Sequence, residues 1–329
     1  MFFFAARKIQ YVAIVFCERA VRALSVVVDR GRIEDFAVQS FSWPKRTIDT
    51  VSGALVHPEE NQVAFDRLVS FCVREKYQRH VYIALPEEVS YWCADRASEV
   101  DRFGREINEL AVWCKQPVVS SQIELGDNGI NCDQKLLIAV RRNVLDGYLN
   151  LLSVLAPDVH GIATQHLAQI YASSGAKGLY RNTPRIFLGG DKESAILSLW
   201  SGPRLLQKER LSAGASCAED RGKKAFEEMI VQSMETMVEA SDVSLEEVFL
   251  CGLVEKKMIE RFSRRPVHIE IPSWRSKGEG AHLSLAQTEV DGVEKGLFDE
   301  CIGLVGMYQR DLWDVLIRKM CDADKSLTF

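Results

Sequence analysis

The feature that most constrains this chain is an order of elements that occurs twice. Three short β-rich runs joined by tight turns come first: residues 11–16, residues 21–28 ending at Asp29-Arg30-Gly31-Arg32, and residues 33–41, with partial alternation in Phe36-Ala37-Val38-Gln39-Ser40-Phe41. Links this tight predict an antiparallel meander, since parallel neighbours need a long crossover. A helix follows, opened by His57-Pro58-Glu59-Glu60, with Val63, Leu68, Val69, Cys72 and Val73 on one buried stripe. Next comes a buried strand, His80-Val81-Tyr82-Ile83-Ala84-Leu85, stopped by Pro86. After a Gly/Ser break at 173–178 the order restarts: residues 186–188, a Gly189-Gly190-Asp191 turn, residues 195–200, a Ser201-Gly202-Pro203 turn, residues 204–211, a helix over 223–238 and a strand at 248–250. The repeat is one of plan, since no residue-by-residue likeness accompanies it.

Between the two series lie an amphipathic helix over 98–114, through Val100, Phe103, Ile107, Leu110 and Ala111, a loop at 125–129 and a strand at 135–140. A helix carrying Val144, Tyr148, Leu151, Leu152 and Leu155 follows, then another around 166–172. Residues 275–296 form a polar, Gly-punctuated insert and 297–320 a final helix, on which Phe298, Tyr308 and Trp313 read as core. A duplicated strand-strand-strand-helix-strand plan is the signature of the actin-like, RNase H-like duplication. The expected class is therefore α/β, with a first lobe over 1–178, an inserted small α+β subdomain at about 80–156, and a second lobe over 179–329.

Several function classes fall away on composition. Lys and Arg number 41 against 46 Asp and Glu, so the net charge of −5 supplies no positive field for a polyanion, and nucleic acid is not an expected partner. Arg141-Arg142 and Arg264-Arg265 lack aromatic interleaving and read as solvated faces or contacts to an acidic partner. The nine cysteines stand singly, without CxxC, which points to buried reduced thiols. The six histidines never fall at i,i+4 and none lies in a triad-like context, so no metal or hydrolase site is expected. The apolar start at 2–4 precedes its charges and does not read as a secretory signal. No run approaches the ~18 apolar residues of a membrane span, so membrane contact is expected only through partners.

Four segments carry a resemblance to a known family. Residues 11–22 lie where the family has its first phosphate strand and loop, and residues 81–89 where a strand enters the inserted subdomain. Leu136-Leu137-Ile138-Ala139-Val140-Arg141-Arg142-Asn143-Val144-Leu145-Asp146-Gly147-Tyr148 matches a third segment, and Val248-Phe249-Leu250-Cys251-Gly252-Leu253 stands where the adenosine loop belongs. On these the chain resembles the PilM family, the actin-like cytoplasmic proteins of type IV pilus assembly, with GspL of type II secretion as a close relation. The order and approximate spacing agree over residues 8–310.

The departures bear on chemistry. In the actin fold two Gly-rich loops bring backbone to the phosphates and a carboxylate positions the metal. Here the family's Asp falls on Val15 and its glycine on Cys17, while the second loop reads Leu188-Gly189-Gly190 without its acid. Gly252 is kept, but its neighbours are Cys251 and Leu253, and a strand-end turn explains it without a ligand. Likewise Gly189-Gly190-Asp191 reads first as a hairpin turn, with a remnant phosphate loop as the alternative. Only 33 residues separate Gly214 from Val248, so the nucleotide-lid subdomain is reduced.

The resemblance thus implies a pseudo-ATPase scaffold, not an enzyme, with no ATP or magnesium expected. It would lie at the cytoplasmic face of the inner membrane and bind the tail of a PilN-like or GspM/GspL-type inner-membrane protein, with a secretion ATPase or platform protein as further candidates. The family's tail groove maps onto Tyr82, Leu85, Val89, Arg141, Leu145 and Tyr148. The alternatives are an actin-like protein with residual ATP binding and a GspL-like secretion component.

Overall fold

In the computed structural model, which describes residues 8–17, 20–43, 48–49, 54–73, 77–96, 117–124, 134–178, 183–190, 194–202, 204–212, 220–252, 268–270 and 299–309, the repeated order becomes two sheets of one topology. The first meander is β1 (Ile9–Phe16), β2 (Ala20–Asp29) and β3 (Arg32–Ser42). Helix α1 (Gln62–Cys72) crosses over to β4 (Gln78–Leu85), which runs parallel to β1. The inserted strands β5 (Ser90–Arg96), β6 (Val118–Glu124) and β7 (Gln134–Arg141) form a separate antiparallel sheet in the order β5-β7-β6. Helix α2 (Arg142–Leu151) leads back to β8 (Val159–Thr164), which completes the first five-stranded sheet, β3-β2-β1-β4-β8.

Helix α3 (Gln165–Gly178) closes the first half and leads into the second. There β9 (Pro184–Gly190), β10 (Ser194–Ser201), β11 (Arg204–Ser212), helix α4 (Asp220–Ser241), β12 (Glu247–Gly252) and β13 (His268–Glu270) build the sheet β11-β10-β9-β12-β13. Helix α5 (Asp299–Tyr308) follows β13 as α3 follows β8.

The central strands read as near-continuous apolar runs because both of their faces are covered. Along β1, Val12, Ile14 and Phe16 enter a core with Phe65, Leu68 and Cys72 of α1, while Ala13 and Val15 face Ile302, Leu304 and Val305 of α5. In the second lobe Ile186, Leu188, Val248 and Leu250 pack on Phe226, Ile230, Met234 and Met237 of α4. Their alternates Phe187 and Phe249, with Trp200, join the core that contains Phe16, so apolar packing runs from one lobe into the other.

Some expectations change. Strands β5, β6, β8 and β13 were not legible. Residues 58–61 form a 3-10 turn before α1, and Val63 is 66% exposed because it lies on the outer side of the helix's first turn. Gly189 and Gly190 are not the hairpin turn: they end β9, paired with Ile196 and Ala195 on one side and with Cys251 and Gly252 on the other. The expected helix over 98–114, the loop at 125–129, the insert at 275–296 and most of the final helix lie outside the described residues, as do Gly214, Asp191, Phe298 and Trp313.

Candidate functional site

The two lobes meet along α3, and the chemistry of that seam follows from three residues of its first turns. Gln165, His166 and Gln169 are polar in a helix whose other early residues, Leu167, Ala168 and Ile170, are core. Buried polar groups need partners, and these find them in both lobes. Gln165 and Gln169 donate through Nε2 to Oε1 of Glu300 on α5, at 3.1 and 2.8 Å, and Arg22 of β2 donates to Glu300 Oε2 at 2.8 Å. On the other side His166 Nε2 lies 2.7 Å from Ser198 Oγ of β10, which also accepts from Trp200 Nε1 at 2.9 Å. The His166 amide donates to Glu87 Oε1 at 2.8 Å, and Lys208 of β11 donates to Glu87 Oε2 at 2.9 Å.

Partner chemistry fixes the protons. Glu300 accepts from the carboxamide nitrogen of Gln169, so Gln169 Oε1 is the acceptor for His166 Nδ1–H at 3.1 Å. Nε2 of the neutral ring then accepts, and the Ser198 hydroxyl donates to it. Burial, with a smaller contribution from Lys208, brings His166 down to about 4 against the opposing pull of Glu87 and the Gln169 hydrogen bond. Burial pushes the Glu87 carboxyl up, but Lys208, His166 and a hydrogen bond from Thr164 outweigh it and bring it to about 2. A Ser–His pair at this distance has the form of a nucleophile and its base. Ser198, however, is fully buried under Trp200, so no substrate carbonyl can reach it.

The positions assigned to a nucleotide can now be placed. Leu188, Gly189, Gly190, Cys251 and Gly252 are neighbours, on adjacent strand ends of β9 and β12. Val15 and Leu188 are buried apolar side chains that offer no ligand oxygen. Cys17 is 4% exposed, its amide donates to Ala20 O at 2.9 Å and its carbonyl accepts from Trp43 Nε1 at 3.0 Å, so its backbone is engaged in the β1–β2 turn. Gly189 lacks a side chain for a reason unrelated to phosphate: a Cβ there would sit 1.9 Å from Gln169 Oε1. Among the described residues of this set no side chain offers a carboxylate oxygen, and Glu87 and Glu300 face Lys208 and Arg22. Among the described residues no group of three or more His, Cys, Asp or Glu is placed to hold a metal ion.

The positions assigned to a partner's tail need correction. Tyr82, Leu85, Val89, Leu145 and Tyr148 are each at most 7% exposed and belong to the core, so they offer no docking surface. Tyr148 meets Phe16 edge-on at 4.8 Å, whereas Tyr82 faces the opposite side of the sheet, stacked on Tyr308 at 4.9 Å. Arg141 alone is partly exposed, at the start of α2. Sequence reasoning missed Arg22, Glu87, Gln165, His166, Gln169, Ser198, Lys208 and Glu300; the one local signal was a run of Gln and His at the start of an otherwise apolar helix.

With this geometry in hand, the duplicated sheets, the insert and the two seam helices define the actin-like ATPase fold. The chain superposes on a chain of the PilM-PilN type IV pilus biogenesis complex with a TM-score of 0.62 at 15% identity, over 89% of this chain and 97% of that one. The cytoplasmic domain of EpsL, an inner membrane component of the type II secretion system of Vibrio cholerae, is a weaker likeness: TM-score 0.38, 11% identity, 65% of this chain and 78% of that one. No protein-family model matches, and no curated protein does. At these identities the likeness is one of fold.

Proposed function

We propose that this protein is a scaffold of a type IV pilus or type II secretion assembly platform, which binds the cytoplasmic tail of a PilN-like bitopic membrane protein and does not hydrolyse ATP. The observation that carries the reading is the superposition on a chain of the PilM-PilN complex over 97% of that chain's length. The absence of ATP chemistry is supported by Gln169 lying against Gly189 and by the apolar side chains at Val15 and Leu188. Among the described residues no helix is long and apolar enough to cross a membrane, which suits a protein recruited by a partner's tail. An extended tail gains affinity from main-chain hydrogen bonds and specificity from side chains beside it. Among the described residues, Tyr91 of β5 and the Arg142–Asp146 pair on α2, 3.9 Å apart, are exposed beside the inserted sheet.

Capture of the full chain by an immobilised PilN-like tail tests this reading. Wild type should be retained, and Asp146→Lys combined with Arg142→Glu should weaken retention about tenfold, the loss of ~1.4 kcal/mol of contact. Retention unchanged by the charge reversals would move the tail elsewhere on the surface. No retention of wild type would end the reading.

A further inference from the structure

The polar groups of the seam form one connected series. It runs from Arg22 of β2 through Glu300 of α5 to Gln165 and Gln169 of α3, from Gln169 to His166, and from His166 to Ser198 of β10. A second branch leaves the His166 amide through Glu87, at the entrance to the inserted sheet, and ends on Lys208 of β11. Arg22, Glu87, His166, Gln169, Ser198 and Glu300 are all buried, none more than 7% exposed. The series therefore touches both five-stranded sheets, both seam helices and the start of the insert.

Beside it, Phe187, Trp200 and Phe249 share the first lobe's core. Apolar contact of this kind is non-directional and tolerates sliding. A buried hydrogen-bonded series does not, because each donor left without its acceptor costs about 1–3 kcal/mol, and buried polar groups are best attested as devices that fix register. Here the Gln169 carboxamide lies against the backbone at Gly189 and the carboxylates face cations of the chain itself.

We propose that this series is a built-in clamp: it sets the relative orientation of the two lobes, so that lobe closure requires no nucleotide. The inference rests on the nucleotide-free part of the proposed function but not on the partner. Its two ends are unequal. The Arg22–Glu300 end joins β2 to α5, a helix that packs on the first sheet, whereas Glu87–Lys208 and His166–Ser198 are the links that reach the second sheet.

The test measures the distance between fluorescent side chains introduced genetically at exposed Arg67 on α1 and exposed Glu235 on α4 of the full chain, one per lobe. The wild type should give one narrow distribution that millimolar Mg-ATP leaves unchanged. Lys208→Met and Ser198→Ala should each widen it about twofold below the melting temperature, as local opening of a loosened seam requires. Glu87→Gln, which keeps the side-chain volume, reads the same link if either variant folds poorly. Variants that melt lower but keep the wild-type distribution would overturn the clamp while leaving the nucleotide-free reading intact. Narrowing of the wild-type distribution on Mg-ATP would overturn both, and tail capture would still stand or fall separately.

Discussion

Helix α3 makes two seams, and they are built on opposite terms. Toward α5 the fit is backbone against backbone: a Cβ on Gly303 would lie 1.9 Å from the carbonyl oxygen of Ala168. Toward β9 the same 1.9 Å separates a Cβ on Gly189 from the carboxamide oxygen of Gln169. The first neighbour cannot move without moving a helix. The second is the far end of a side chain, held by Glu300 and His166. The first seam adds this shape fit to the Gln165 and Gln169 bonds to Glu300, whereas the second rests on side-chain hydrogen bonds alone, so the first should fail under added volume and the second under altered protonation.

The largest effect is expected at the shape-set seam. Gly303→Val should cost more than about 3 kcal/mol or abolish folding, since overpacking here has no flexible atom to displace; urea unfolding reads it, and near-neutral behaviour would show that the α3–α5 contact yields. Acid should act on the other seam. His166 is held at about 4, below its unfolded value near 6.5, so its contribution is complete above pH 6.5 and is lost as pH falls through 4. Between pH 7 and 4 that amounts to about 3 kcal/mol, and protonation of Glu87, held at about 2, removes more below pH 4. His166→Gln should flatten the upper part of the profile; an unchanged slope would contradict the neutral buried ring.

Gly189→Ala should destabilise by about 1–2 kcal/mol, and by less when made in a Gln169→Ala background, because the obstructing atoms are gone. A strictly additive double mutant would mean that the two positions are not in contact. The smallest change is expected at the rim of the shape-set seam. Tyr308→Phe keeps the ring over Gly161 and loses only the hydroxyl's bond to Ile162 O, 2.7 Å long, for about 1 kcal/mol in thermal melts.

What was legible in the chain was local. Both meanders, α1, β4, α4 and β12 follow from apolar runs and tight turns a few residues apart. Strand β8 was hidden because Val159-His160-Gly161-Ile162-Ala163-Thr164 holds a glycine whose purpose is the Tyr308 ring, 147 positions further on. Gly189-Gly190 looked like a turn for a similar reason: the residue that requires a glycine there is Gln169, on another element. The seam was invisible as a site because its members come from six elements, and no spacing rule links Arg22 to Glu300 or Glu87 to Lys208. The tail positions failed differently. Tyr148 and Leu145 were identified by position in a segment; the apolar stripe read on α2 already held Tyr148, and Leu145 beside Val144 is buried with it.

The proposed scaffold answers to a partner's tail and not to a nucleotide. Thermal melting of the full chain with each ligand in turn tests it most directly. Anything that binds the native state alone raises the melting temperature, by about 2.7 kcal/mol of stabilisation at a hundredfold excess over the dissociation constant. The expected result is a rise of several degrees with a PilN-like cytoplasmic tail and a flat melting temperature with millimolar Mg-ATP. A rise with Mg-ATP and none with the tail would contradict it.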